Sequence, residues 1–172
     1  MIKRLTWVLL FVVTSSGTNT RAVVSSGSES PAPAKAGTTE GDVRKFMAQV
    51  AHDVTQEGPL AWIKYFETGP AFFMAVNGQL AFPDSNAAKV GTQEFARGIR
   101  HIELTWGQDL RVDPLTAEFA VVAVSWREIQ IDTAGHRVEE SGMFTGLVEF
   151  RDGRWQFRNA HWSSPPSPSL AG

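Results

Sequence analysis

Cysteine is absent from this chain. Its absence excludes disulfide frameworks, thiolate zinc sites, cysteine nucleophiles and lipid attachment through an N-terminal cysteine. Tyrosine is nearly absent too, with Tyr65 alone against 11 Phe and 6 Trp. Neither sign of charge accumulates: 16 basic residues lie scattered among 18 acidic ones for a net charge of −2, which leaves no electrostatic footprint for a nucleic-acid partner. No G-x-G-x-x-G, Walker-type, G-x-S-x-G or kinase motif occurs, so no nucleotide cofactor is expected. His101 with Glu103, and His136 with Glu139 and Glu140, are spacings usual on solvated strands. With no H-E-x-x-H or Cys/His cluster beside them, no metal site is expected.

No apolar run is long enough to span a bilayer as a helix of ~20 residues. The longest, Leu5 to Val13, follows Lys3 and Arg4 and precedes small polar residues, the order of a secretory signal peptide. Residues 1–22 are therefore expected to be removed after Ala22, leaving an exported periplasmic or secreted chain with no permanent membrane span. That cleavage takes Lys3, Arg4 and Arg21 and no acid, so the net charge falls from −2 to −5.

What remains is rich enough to fold. Hydrophobic residues make up 42% of the 172, enough for one domain with a sizeable core and too many for wholesale disorder. Residues 23–41 (VVSSGSESPAPAKAGTTEG) carry nothing periodic to bury and read as a disordered linker; 164–172 (SPPSPSLAG) read as a disordered tail. The domain is expected over 42–163.

Val43, Phe46, Met47, Val50, Ala51 and Val54 recur at helical spacing and predict a helix, with Thr39 and Asp42 as a capping box. Gly58-Pro59 ends it, and a short second helix is expected over Leu60 to Phe66. Asn77-Gly78 between two apolar runs predicts a tight hairpin. Asp84 or Ser85 caps a third helix through Ile99, weakened by Gly91 and Gly98. From His101 the period becomes two, and long antiparallel strands are expected through His101 to Trp106, Glu118 to Asp132, Arg137 to Phe150 and Arg154 to Ser163.

Within that order, Gly142-Met143-Phe144-Thr145, then Arg151-Asp152-Gly153-Arg154-Trp155, then His161-Trp162-Ser163 form a G-x-x-T strand, a D-G-x-W turn and a closing H-x-S. Asp42 to Ser163 thereby resembles the nuclear transport factor 2-like superfamily, which includes SnoaL-like and ketosteroid-isomerase-like proteins. The resemblance implies an α+β fold, a cone-shaped curved antiparallel sheet wrapped around N-terminal helices, with an apolar pocket at its wide mouth. It also implies a homodimer paired through the outer face of the sheet.

Alternation places Trp155, Phe157, Asn159, His161 and Ser163 on one face of the last strand. There His161 either points into the cone as a hydrogen-bond donor or general acid/base, or closes the sheet as a structural histidine. Trp126, Glu128 and Gln130 share a face of their strand. If that face lines the pocket, burial raises the Glu128 pKa and makes it a usable base beside a carbonyl; otherwise it is a surface charge. Trp62, Tyr65 and Phe73 are expected to floor the pocket. Isomerase-type catalysis requires a tyrosine with a protonated acid as oxyanion hole, and Tyr65 has no acidic partner at a recognisable spacing.

Three functions follow. The leading one is an exported domain enclosing a small apolar ligand, lined by Trp62, Trp126 and His161, without a cofactor. The second is an enzyme moving a proton on a lipophilic substrate with Glu128 or His161 as base. The third is a dimeric interaction module whose pocket is filled by its own side chains.

Overall fold

The computed structural model describes residues 36–165. The expected signal peptide, the expected linker up to residue 35 and the expected tail from residue 166 lie outside the described residues.

Helix α1 spans Ala36–Glu57. It begins before the expected start at 42, and Thr39 is buried within it, so the capping box is not used. The apolar stripe does what its spacing predicts: Val43, Phe46, Met47, Val50 and Val54 are all buried in the core. Gly58, at φ 85°, takes the left-handed conformation that stops the helix, and its N–H donates to the Val54 carbonyl at 3.0 Å. Pro59 then starts a 3-10 helix, Pro59–Lys64, tighter and shorter than the helix expected there. Trp62 is buried within it, while Tyr65 and Phe66 follow its end.

Strands β1 (Phe73–Val76) and β2 (Gln79–Phe82) form the hairpin, turned by Asn77 and Gly78 at φ 49° and 81°. Helix α2 (Ser85–Gly98) is capped by Asp84, whose Oδ1 accepts the Ala87 N–H at 2.8 Å. Gly91 has a packing reason within it: a Cβ there would lie 2.3 Å from the Phe82 ring.

Strands β3 (Ile99–Trp106), β5 (Phe119–Asp132), β6 (Arg137–Arg151) and β7 (Arg154–Ser163) are the long strands the alternation predicts. A short strand β4 (Arg111–Pro114) was not expected; it pairs with Ala120–Ala123, the stretch of β5 beyond β3. The sheet order is β2-β1-β7-β6-β5-β3, with β4 beside β5. All pairs are antiparallel except β1 with β7, so the sheet is mixed rather than purely antiparallel.

Helix α1 packs across the concave face and covers the edge at β3. The Thr55 hydroxyl bonds both the N–H and the carbonyl of Leu104, and the Trp106 indole donates to the Met47 carbonyl at 2.8 Å. The Thr55 bonds occupy edge groups of β3 that would otherwise invite strand addition. No described helix is long and apolar enough to cross a membrane.

One irregularity decides which side chains enter the cone. Leu147 pairs with Asn159 but Val148 pairs with Phe157, so Arg158 is an extra residue in β7. Such a bulge reverses the inward and outward sides of everything beyond it.

Candidate functional site

Three neighbouring strands line up rows of residues across the concave face. Trp106, Trp126 and Gly142 form one row; Leu104, Glu128 and Glu140 the next; Ile102, Gln130 and Val138 the third. Burial of Val122, Val124 and Trp126 fixes this side of β5 as the inner one. The open question about Glu128 is thus settled toward the inside, two residues beyond Trp126.

The interior beside these rows is filled with rings. Trp162 is stacked on Trp106 at 5.7 Å and stands edge-on to Trp62 at 5.5 Å and to Trp126 at 5.0 Å, with Phe144 at 4.7 Å. Trp62 is also stacked on Phe66 and tilted against Phe157. Edge and offset arrangements of this kind are favourable beyond simple burial. Trp126 is buried, and its indole N–H finds no acceptor among the described residues. A buried donor left unpaired carries a cost of about 1–3 kcal/mol that an incoming acceptor would relieve.

Glu128 is half-buried at the edge of this cluster. Burial pushes its carboxyl up to about 7; a hydrogen bond from the Gln130 amide opposes the rise, and the Glu140 charge across the strand pair adds to it. At neutral pH Glu128 can therefore either give or accept a proton.

The other expected site residues stand elsewhere. His161, Asn159 and Ser163 face outward, because the Arg158 bulge turns Ala160 and Trp162 inward in their place. His161 is exposed and lies between Thr145 and Ala75 on the outer face. The Asn159 side chain accepts the Leu147 N–H, and the Ser163 hydroxyl donates to the Met143 carbonyl at 3.3 Å. Phe73 is 44% exposed, and its neighbour Phe72 takes the interior position against Phe66. Tyr65 does have an acidic partner that its sequence spacing concealed: its hydroxyl donates to Asp53 Oδ2 at 2.6 Å. Burial and that carboxylate raise the phenol, while the same bond leads in holding Asp53 low. Tyr65 is thus committed to α1. Trp106 and Trp162 are the inner residues that alternation alone did not assign to the site.

A hollow of about 440 Å³ is bordered by three short consecutive stretches, Thr105 to Gly107, Ser125 to Arg127 and Ser141 to Met143. Its border includes the inner-row residues Trp106, Trp126 and Gly142 as well as the outward-facing Thr105, Ser125 and Met143. Between Trp62 and Trp126 the interior holds the Trp162 indole, while Trp126 also borders the hollow. His136, weighed above with Glu139 and Glu140, is joined to Asp132 at 2.8 Å.

Solved structures share this fold. A nuclear transport factor 2-like superfamily protein from Salmonella enterica matches with a TM-score of 0.65 at 10% identity, over 78% of this chain and 96% of its own. The fold is nuclear transport factor 2-like. An NTF2-like protein of unknown function from Shewanella oneidensis matches at 0.57 and 16% identity, over 73% of this chain and 98% of its own. A hexachlorocyclohexane dehydrochlorinase, Type2, matches at 0.57 and 10%, over 72% and 83%. No family model and no curated protein matches the sequence. Proteins on this scaffold thus include an enzyme, and the fold leaves the chemistry to the side chains on the inner face.

Proposed function

We propose that the domain binds a small, mostly apolar ligand carrying an oxygen or nitrogen acceptor at the Trp126–Glu128 end of the concave face, where Glu128 exchanges a proton with it. The observation that carries this reading is the pairing of a carboxyl raised to about 7 with a buried, unspent indole N–H two residues away on the same side of one strand. An apolar surround with few convergent polar groups is the composition of a small-molecule site. The dehydrochlorinase on the same fold supports proton-transfer chemistry here by analogy.

The chain is proposed to act after export, from the signal-like residues 1–22; N-terminal sequencing of protein from the cell envelope tests that step. The binding reading is tested by native mass spectrometry of the domain purified from its host, with denaturing extraction of anything retained. A bound molecule that is lost in Glu128→Gln supports it. An empty protein whose Glu128 titrates in the ordinary carboxylate range overturns it.

A second reading concerns the outer face and is favoured by its own observation. The rows Val121–Leu147–Asn159–Phe73, Ala123–Thr145–His161–Ala75 and Ser125–Met143–Ser163 contain no Asp, Glu, Lys or Arg. Phe73, Val121 and Met143 are exposed in these rows, and charge stands only at their β4 margin, where Asp113 pairs with Val121, Arg111 with Ala123, and Asp109 accepts from Ser125. A self-complementary apolar face of this kind suits a second copy of the chain. Sedimentation equilibrium that finds only monomer at high concentration overturns it.

A further inference from the structure

Trp162 contacts four rings of the interior, as many as Trp62, yet is less buried than Trp62. Trp62, Trp126 and Phe144 are buried, whereas Trp162, which touches all three and Trp106, is only half-buried. Its backbone is fixed on both sides, by Phe144 of β6 and Val76 of β1, and its carbonyl accepts the Asn77 N–H at 2.9 Å. Its own indole N–H makes no hydrogen bond among the described residues. The ring can therefore turn about its side-chain torsions without moving the strand or giving up a polar contact. It stands edge-on at 5.0 Å to Trp126, whose buried N–H has no acceptor among the described residues.

We infer that the Trp162 indole is a built-in occupant of the ligand site, displaced by a planar bicyclic aromatic ligand whose acceptor atom takes up the Trp126 N–H. This inference rests on the binding reading above and adds the shape of the ligand and the group it competes with. The walls dictate the shape. Trp106 offers a face, and the edge-on rings of Trp62 and Trp126 close the sides, which leaves a slot of ring thickness that a second planar aromatic fits and a bulky aliphatic does not. The acceptor is dictated by Trp126, because a guest without one leaves the donor as costly as before.

Quinoline and naphthalene are matched probes, alike in shape and differing by one ring nitrogen. An emptied apolar space takes any guest of matching size. The deciding readouts are therefore competition and the preference for nitrogen. Isothermal titration of the full chain and of Trp162→Ala is expected to show quinoline binding at least tenfold tighter to the variant. Quinoline is expected to bind that variant at least fivefold tighter than naphthalene, with the preference lost when Trp126→Phe is added. In the unmutated protein labelled with 5-fluorotryptophan, saturating quinoline is expected to shift the fluorine resonance assigned to Trp162.

Weaker quinoline binding by Trp162→Ala would make Trp162 a wall rather than an occupant and overturn the inference. Equal affinity for the two probes, or an unmoved Trp162 resonance, would overturn it as well. Circular dichroism checks that the variant folds; Trp162→Leu replaces it if not, and the fluorine measurement needs no variant. Displacement of Trp162 by quinoline with Glu128→Gln binding unchanged would support this inference while refuting the proton-exchange role of Glu128.

Discussion

The side-chain oxygen of Asn159 accepts the backbone N–H of Leu147 at 3.1 Å, at the point where the register of β6 and β7 slips by one residue. The bond pins the bulge that sends Trp162 inward and His161 outward. Replacing Asn159 by alanine removes the acceptor from a partly buried N–H and is expected to cost about 1 kcal/mol. Thermal unfolding should show it as a drop of about 2–4 °C in Tm for a chain of this size. An unchanged Tm would mean that the bulge is held by the ladder alone.

That slip marks how far the sequence could be read. Helix α1, the Asn77-Gly78 hairpin, the Asp84 cap and four long strands follow from local rules, in which each residue's role is set by neighbours a few positions away. A bulge is set by the pairing partner instead, and nothing around Arg158 announces it, so strict alternation put His161, Asn159 and Ser163 on the same face as Phe157, from which the slip removes them. For β5 the two sides were equally written in the sequence, and only burial of Val122 and Val124 chose between them. The Tyr65–Asp53 bond was hidden for a related reason, since it joins a helix to a segment beyond a glycine-proline turn. The cone and its aromatic content were legible; the filling of its interior by Trp106 and Trp162 was not, because filling is a property of packing.

Glu128 makes stability depend on pH in a direction opposite to that of a paired carboxylate. Its folded value of about 7 lies above the unfolded value of 4.5, so between these limits the folded chain holds more protons than the unfolded one. The contribution is fully present below about pH 4.5 and is lost as pH rises through 7. Asp109, Asp132 and Glu139, held low chiefly by hydrogen bonds from Ser125, His136 and Arg127, contribute in the other sense. The informative quantity is the difference between the parent protein and Glu128→Gln. The substitution is expected to stabilise the domain above pH 7 by about 2 kcal/mol, a value discounted for the partial exposure of the side chain, and by progressively less toward pH 4.5. Urea melts at several pH values check this; a constant difference across the range would show that Glu128 titrates normally.

Gly142 stands beside Trp126 in the inner row, and the end of β7 runs directly over it. A Cβ at this position would fall 1.8 Å from the Ser163 carbonyl oxygen, which is backbone and cannot turn aside. Gly142→Ala is therefore expected to displace the strand end that carries Trp162 and to cost about 1–3 kcal/mol as overpacking. Near-ultraviolet circular dichroism, which reads the coupled indoles, should weaken while the far-ultraviolet spectrum holds. A near-ultraviolet spectrum identical to the parent's would show that the crossing relaxes without moving the rings.

Thr145 lies at the middle of the uncharged outer face, between Ala123 and His161. It is exposed, so an arginine there meets solvent in a single chain and leaves folding within about 0.5 kcal/mol. In a dimer paired through this face the same substitution places a charge in the uncharged centre of the interface, once from each copy if the pairing is two-fold, with the acids Asp109 and Asp113 only at its β4 margin. Thr145→Arg is expected to leave Tm measured at low concentration unchanged while raising the dimer dissociation constant at least tenfold, read by sedimentation equilibrium. A parent protein that dimerises and a variant that dimerises equally well would place the contact elsewhere, and the exposed Leu80 of β2 would then be the next position to alter.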